Sequence, residues 1–307
     1  MRTTIKTAAL AFVLSASAAA AQNIIVVTHG QANDPFWSVV KNGVDKAAED
    51  TGATVSYRAP ETFDMVQMGQ LIDAAVNQEP DGLVVSIPDG DALGPSIERA
   101  VQAGIPVVSM NSGSDVSAGL GALLHVGQEE FAAGTVAGKK LAELGGTKAI
   151  CVNQEVGNVA LDQRCAGFAE GFGGEATVLP SSNDPTEVEA KVRAALDSDP
   201  EIDTIMALGA PLTGVPAMAA VESLGRSGEV LIGAFDLSPD FLQGIVDGKA
   251  AFTLDQQQFL QGYLPVVFLA LNANYGLVPG GNVPSGPNVI DAEKAAEVIE
   301  LSKQGIR

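Results

Sequence analysis

The sequence predicts an α/β fold of two similar doubly wound parallel-sheet lobes with a ligand cleft between them. Three observations carry that prediction. Short apolar runs alternate with helical patterns almost throughout, the runs are apolar on both faces, and the alternation restarts in the second half. Strands apolar on both faces belong to parallel sheets covered by helices on each side.

In the first half, Ile24 to Thr28 reads as a strand, and Pro35 to Thr51 as a helix with Val40, Val44 and Ala48 on one face. Strands are then expected at Thr54 to Tyr57, Gly82 to Ile87 and Pro106 to Met110. Helices are expected between them at Met65 to Asn77 and Ala92 to Ala103. In the second half, Ala149 to Val152, Thr177 to Leu179, Thr204 to Leu208 and Val230 to Phe235 are the strands. Asp81 to Asn111 and Asp203 to Asp236 share one plan. Each reads strand, proline-containing loop, alanine-rich helix, glycine turn, strand, then a polar side chain at the strand end. The length of 307 residues agrees with two domains.

The first 21 residues read as a secretion leader. Arg2 and Lys6 precede a short apolar run from Ala8 to Leu14, and Ala19-x-Ala21 ends a stretch of small residues. Cleavage near Ala21 would release a protein into an oxidising compartment, most simply a periplasm. The formal charge of −20 would become −22, because the leader carries Arg2 and Lys6 and no acid. Such a charge argues against nucleic acid and anionic membrane as partners. Cys151 and Cys165 read either as a disulfide or as two buried thiols. Two cysteines and two distant histidines give no metal-ligand spacing, and no cofactor is expected.

Ligands of open parallel sheets bind beyond the carboxyl ends of the strands. The residues there include His29, Asn33 to Trp37, Asp89, Asn111, Asn153 to Arg164, Gly209 to Thr213, Asp236 and Asp255 to Gln257. The set is rich in amides and carboxylates, with one arginine and two adjacent aromatics. Hydroxyl-rich rings need such planar polar groups at the rim and flat apolar surface above and below. The sequence has no Gly-x-Ser-x-Gly elbow and no His-Glu-x-x-His, and no Gly-x-Gly-x-x-Gly follows the first strand. Gly134 to Lys139 is a residue short of a phosphate loop and lies in a helical pattern. These absences favour binding over catalysis.

Taken in order, Ile24–Thr28, Asn33–Trp37, Asp81–Ser86, Gly104–Ser109, Arg164–Phe168 and Gly233–Asp236 resemble the periplasmic binding proteins of the ribose-binding type. The similarity covers nearly all the chain after the leader. It implies two lobes joined by a three-crossover hinge, residues 22–127 with about 257–284 and residues 128–256 with about 285–307. It further implies a monomer that closes on a neutral monosaccharide or polyol and hands it to a membrane ABC permease. By position, Phe36 and Trp37 match stacking aromatics, and Asp34 a polar residue before them. Arg164 and Asp236 match sugar-hydroxyl ligands, and Gln256 the glutamine near the last crossover. Asn111 stands where the family usually has aspartate. Ser112 stands where ribose binders have arginine, and Gly209 or Ala210 where they have asparagine, which points away from ribose itself. His29, Asp89 and Asp162 form a second group of candidates. Asp162-Gln163 and Ala210-Pro211 followed by Pro216-Ala217 also resemble the autoinducer-2-binding branch, the alternative being a signal receptor. That branch's lysine would be His29 here, and its first aspartate Asn111.

Overall fold

The structure is a computed structural model that describes residues 21–30 and 34–307. The leader, up to residue 20, and Asn33 lie outside the described residues.

The first lobe runs β1 (Asn23–Val27), α1 (Pro35–Thr51), β2 (Thr54–Arg58), α2 (Met65–Val76), β3 (Gly82–Ser86), α3 (Gly90–Gln102), β4 (Val107–Asn111) and β5 (Leu124–Gly127). The second runs α4 (Glu130–Glu143), β6 (Lys148–Asn153), α5 (Val159–Phe172), β7 (Glu175–Pro180), α6 (Pro185–Ser198) and β8 (Thr204–Ala207). A single π turn at Ala210–Gly214 then leads into α7 (Val215–Ser223), followed by β9 (Leu231–Phe235), α8 (Pro239–Val246) and β10 (Phe252–Asp255). The chain returns through α9 (Gln258–Tyr275), β11 (Val283–Pro284), β12 (Asn288–Ile290) and α10 (Ala292–Lys303).

Two six-stranded sheets result, in the orders β11-β5-β4-β3-β1-β2 and β12-β10-β9-β8-β6-β7. The orders correspond strand for strand. Every pairing is parallel except β12 against β10. The chain therefore passes between sheets three times, after β5, after β10 and after β11. Helix α9 packs on α1 and across β3, β4 and β5, whereas α10 packs on α8 and β12. The central strands are buried on both faces and feed an apolar cluster on each side of each sheet.

Equivalent residues do equivalent work in the two lobes. The Asp81 carboxylate accepts from Asn23 N at 2.8 Å, and the Asp203 carboxylate accepts from Thr147 N and Lys148 N at 3.0 Å. Each acid thus holds the entry of the neighbouring central strand. At the other end, Asn111 and Asp236 both turn into left-handed backbone, with φ of 63° and 70°. Asn and Asp are the residues that tolerate this region, because their short polar side chains bond locally. Strand β5 is missing from the sequence expectations, since four residues that include His125 and Gly127 carry little β signal.

Helices α4 and α5 lie unusually close. A Cβ at Gly134 would stand 2.2 Å from Arg164 O, and one at Gly167 would stand 2.0 Å from Phe131 O. The Gly134 to Lys139 segment is therefore a packing surface rather than a phosphate loop. Gly167→Leu should wedge the pair apart and destabilise the fold by about 1–3 kcal/mol, read as a lower urea midpoint. On the other side of α5, Cys165 is bonded to Cys151 of β6 with Cα atoms 5.8 Å apart.

Candidate binding cleft

The carboxyl ends of both sheets face a common cleft. The lobes touch across it. Val159 N donates to Pro88 O at 2.9 Å, and Gln163 Nε2 donates to Asp115 Oδ2 at 2.9 Å.

The first turn of α1 supplies the apolar wall of one lobe. Asp34 caps this helix, its Oδ1 accepting from Phe36 N at 2.9 Å, and so fixes how Phe36 and Trp37 enter the cleft. Trp37 meets Phe36 edge to face at 5.1 Å and His29 at 4.7 Å, which locks the indole at 3% exposure. The facing lobe contributes Leu208, Pro211 and Leu212.

Polar groups converge from both lobes at the base. Gln256, at the second crossover, joins the two strand-end residues: its Nε2 donates to Asp236 Oδ1 at 2.5 Å, and its Oε1 accepts from Asn111 Nδ2 at 3.4 Å. Gln261 Nε2 also donates to Gln256 Oε1, at 2.9 Å. Arg164 is held by a bidentate ion pair, Nε to Glu130 Oε2 at 2.5 Å and Nη2 to Glu130 Oε1 at 3.0 Å. Its guanidinium lies 4.6 Å from the Phe235 ring centroid. This anchoring engages Nε and Nη2, and the residue lines the cleft.

Burial dominates the electrostatics. It pushes the Asp236 carboxyl up to about 7, against the pull of Arg164 and the hydrogen bond from Gln256. Burial likewise raises Asp34 to about 6, opposed by the Phe36 amide and reinforced by Glu155. His29 is lowered by burial to about 4, and its Nδ1 lies 2.8 Å from Ser86 Oγ. Glu155 is 3.8 Å from His29 Nε2, but a neutral imidazole at that distance forms no ion pair.

The structure brings together Asp34, Phe36, Trp37, Asn111, Arg164, Asp236 and Gln256, with His29 beside them. Two candidates lie elsewhere. Asp89 does not line the cleft, because its carboxylate caps α3 by accepting from Ala92 N at 2.9 Å. Asp162 also lies outside the lining, where it accepts from Asn153 Nδ2 at 2.9 Å. Sequence reasoning did not single out Glu130, Gln154, Glu155 or Asn158. Recognising β5 as a strand would have brought Gln128 to Glu130 into the strand-end set.

A profile of the periplasmic binding protein domain matches residues 24–276. The chain belongs to this family. A carbohydrate transporter from Acidothermus cellulolyticus, solved in complex with myo-inositol, superposes with a TM-score of 0.89 at 35% identity. That match covers 94% of this chain and 100% of the other. The ribose import binding protein of Escherichia coli is 26% identical over 83% of this chain and 86% of its own length. The xylose/arabinose-binding protein of Sulfolobus acidocaldarius is 25% identical over 81% of this chain, which spans 65% of that relative's length. The chain shares its two parallel-sheet α/β lobes with the Acidothermus structure.

Proposed function

We propose that this protein is the solute-binding component of an ABC importer and captures a neutral cyclic polyol, a monosaccharide or a cyclitol. The observation that carries the reading is the cleft's pairing of apolar walls with a polar base drawn from both lobes. Asn111, Arg164, Asp236 and Gln256 offer planar donors and acceptors to ring hydroxyls, while Phe36 and Trp37 face the C–H surface of the ring.

Charge selects against anionic ligands. Among the described lining residues Arg164 is the one permanent cation, and Glu130 already neutralises it. Asp34, Glu155 and Asp236 add only negative or titratable groups. Relatives named for ribose, xylose or arabinose support a sugar, and the neighbour holding myo-inositol supports a cyclitol. Asp162, the acid weighed for an autoinducer-2 receptor, accepts from Asn153 Nδ2 and does not line the cleft, and Asn111 stands in place of that branch's first aspartate, so the transport reading stands first.

In this reading the leader sends the chain to the periplasm, where it acts as a monomer without cofactor or catalytic step. Lobe closure over the ligand then creates the form that a membrane permease accepts. A thermal-shift screen of pentoses, hexoses, inositols, sugar phosphates and autoinducer-2 tests it. A ligand that binds only the folded state adds about 2.7 kcal/mol at one hundred times its dissociation constant. Stabilisation by a neutral ring polyol is expected; stabilisation by phosphates or autoinducer-2 alone would overturn the proposal.

A further inference from the structure

We infer that Gln154 is a specificity-determining residue whose side-chain amide reads one hydroxyl of the ligand from a position that the missing side chain of Gly209 keeps open. The inference rests on the polyol-binding reading above and adds a residue to it.

Gln154 follows β6 and lines the cleft, and Gly209 follows β8, the adjacent strand. A Cβ built on Gly209 would stand 3.1 Å from Gln154 Nε2 and 3.9 Å from Asp236 Oδ2. The amide thus occupies the space that a side chain at Gly209 would enter. Backbone strain does not demand glycine there, because φ is −159°, which any residue adopts. The absence of a side chain serves space instead. Thr213 fixes the Gly209 backbone from both sides, its Oγ1 accepting from Gly209 N at 2.9 Å and donating to Gly209 O at 2.7 Å.

The amide itself is unfinished. Gln154 Oε1 is buried and, among the described residues, has no hydrogen-bond partner. Buried amide oxygens are almost always paired, and leaving one unpaired is costly. A ligand hydroxyl donating to Oε1 supplies the missing partner. Recognition of this kind discriminates strongly, since an analogue without that hydroxyl leaves the amide unpaired again.

The test uses calorimetry on the wild-type protein, Gln154→Ala, and Gln154→Gly with Gly209→Asn, against the best-binding polyol and its monodeoxy and epimeric analogues. Wild type should lose about tenfold in affinity with one analogue altered at a single position, which is about 1.4 kcal/mol. Gln154→Ala should bind the parent about tenfold more weakly and no longer distinguish that analogue. The double variant, which returns an amide from the other strand, should rank the analogues in a different order. The melting temperature of the ligand-free variants checks that each is folded. If Gln154→Ala keeps both the affinity and the analogue ranking of wild type, the inference fails while the polyol reading stands. If wild type binds no neutral polyol at all, the underlying reading fails instead.

Discussion

Arg164→Ala should destabilise the protein by about 3–5 kcal/mol and also weaken ligand binding by more than about 1.5 kcal/mol. The first effect comes from Glu130. That carboxylate is 2% exposed and is gripped at both oxygens by Arg164, with a further hydrogen bond from Gln128 Nε2 at 3.0 Å. Removing the guanidinium strands a buried negative charge, which costs far more than the pair contributes relative to an apolar replacement. The second effect comes from loss of a guanidinium that lines the cleft. The two can be separated. Replacing both partners, Arg164→Met with Glu130→Met, should recover most of the stability in urea unfolding while binding stays weak by calorimetry. Recovery of binding in the double variant would show that Arg164 acts only through the fold.

Asp236→Asn should raise the stability of the ligand-free protein near neutral pH and yet weaken binding by more than about 1.5 kcal/mol. Asparagine tolerates the left-handed backbone at this position and can still accept from Gln256. The sign of the pH effect follows from burial. Folding raises the Asp236 carboxyl from 3.8 to about 7, so within that window the folded state holds a proton that the unfolded chain has released. The contribution of this group to stability is therefore full below about 3.8 and is lost as pH rises through about 7. Asparagine carries no such dependence. The melting temperature of the variant minus that of wild type should grow from pH 4 to pH 7 and level off above. A difference that stays flat with pH would mean that Asp236 is solvated in the folded protein. Arg164, Glu130 and Asp34 are the charged groups that act on it, and they are common to both proteins.

Most of the architecture was legible because a doubly wound sheet writes itself locally. Strands β1, β3, β8 and β9 are largely apolar runs, and helices α1, α3, α5 and α8 each carry an apolar face and a side-chain cap. The duplication was legible in Asp81 and Asp203, which the structure shows bracing equivalent strands. What escaped was set by neighbours distant in sequence. Glu130 meets Arg164 only because Gly134 and Gly167 let α4 and α5 approach, and no pattern within either helix announces that pairing. Asp89 and Asp162 were misplaced for a related reason. A carboxylate beyond a strand can face the ligand or turn to a local hydrogen-bond donor, and the choice depends on side-chain direction that spacing does not encode. Gln154 fell within the strand-end stretch Asn153 to Arg164, but what marks it out from its neighbours is the space above Gly209 on another strand.

In the proposed complex a neutral ring sits against the aromatic wall of this cleft. Trp37 is the one tryptophan in the sequence and lines the cleft itself, so its fluorescence reports the site without a label. Titration with the polyol found by thermal shift should give a saturable change in tryptophan emission. The midpoint should match the calorimetric dissociation constant, and Asp236→Asn should shift both together. Saturable binding by calorimetry that leaves Trp37 emission unchanged would place the ligand elsewhere and contradict the account.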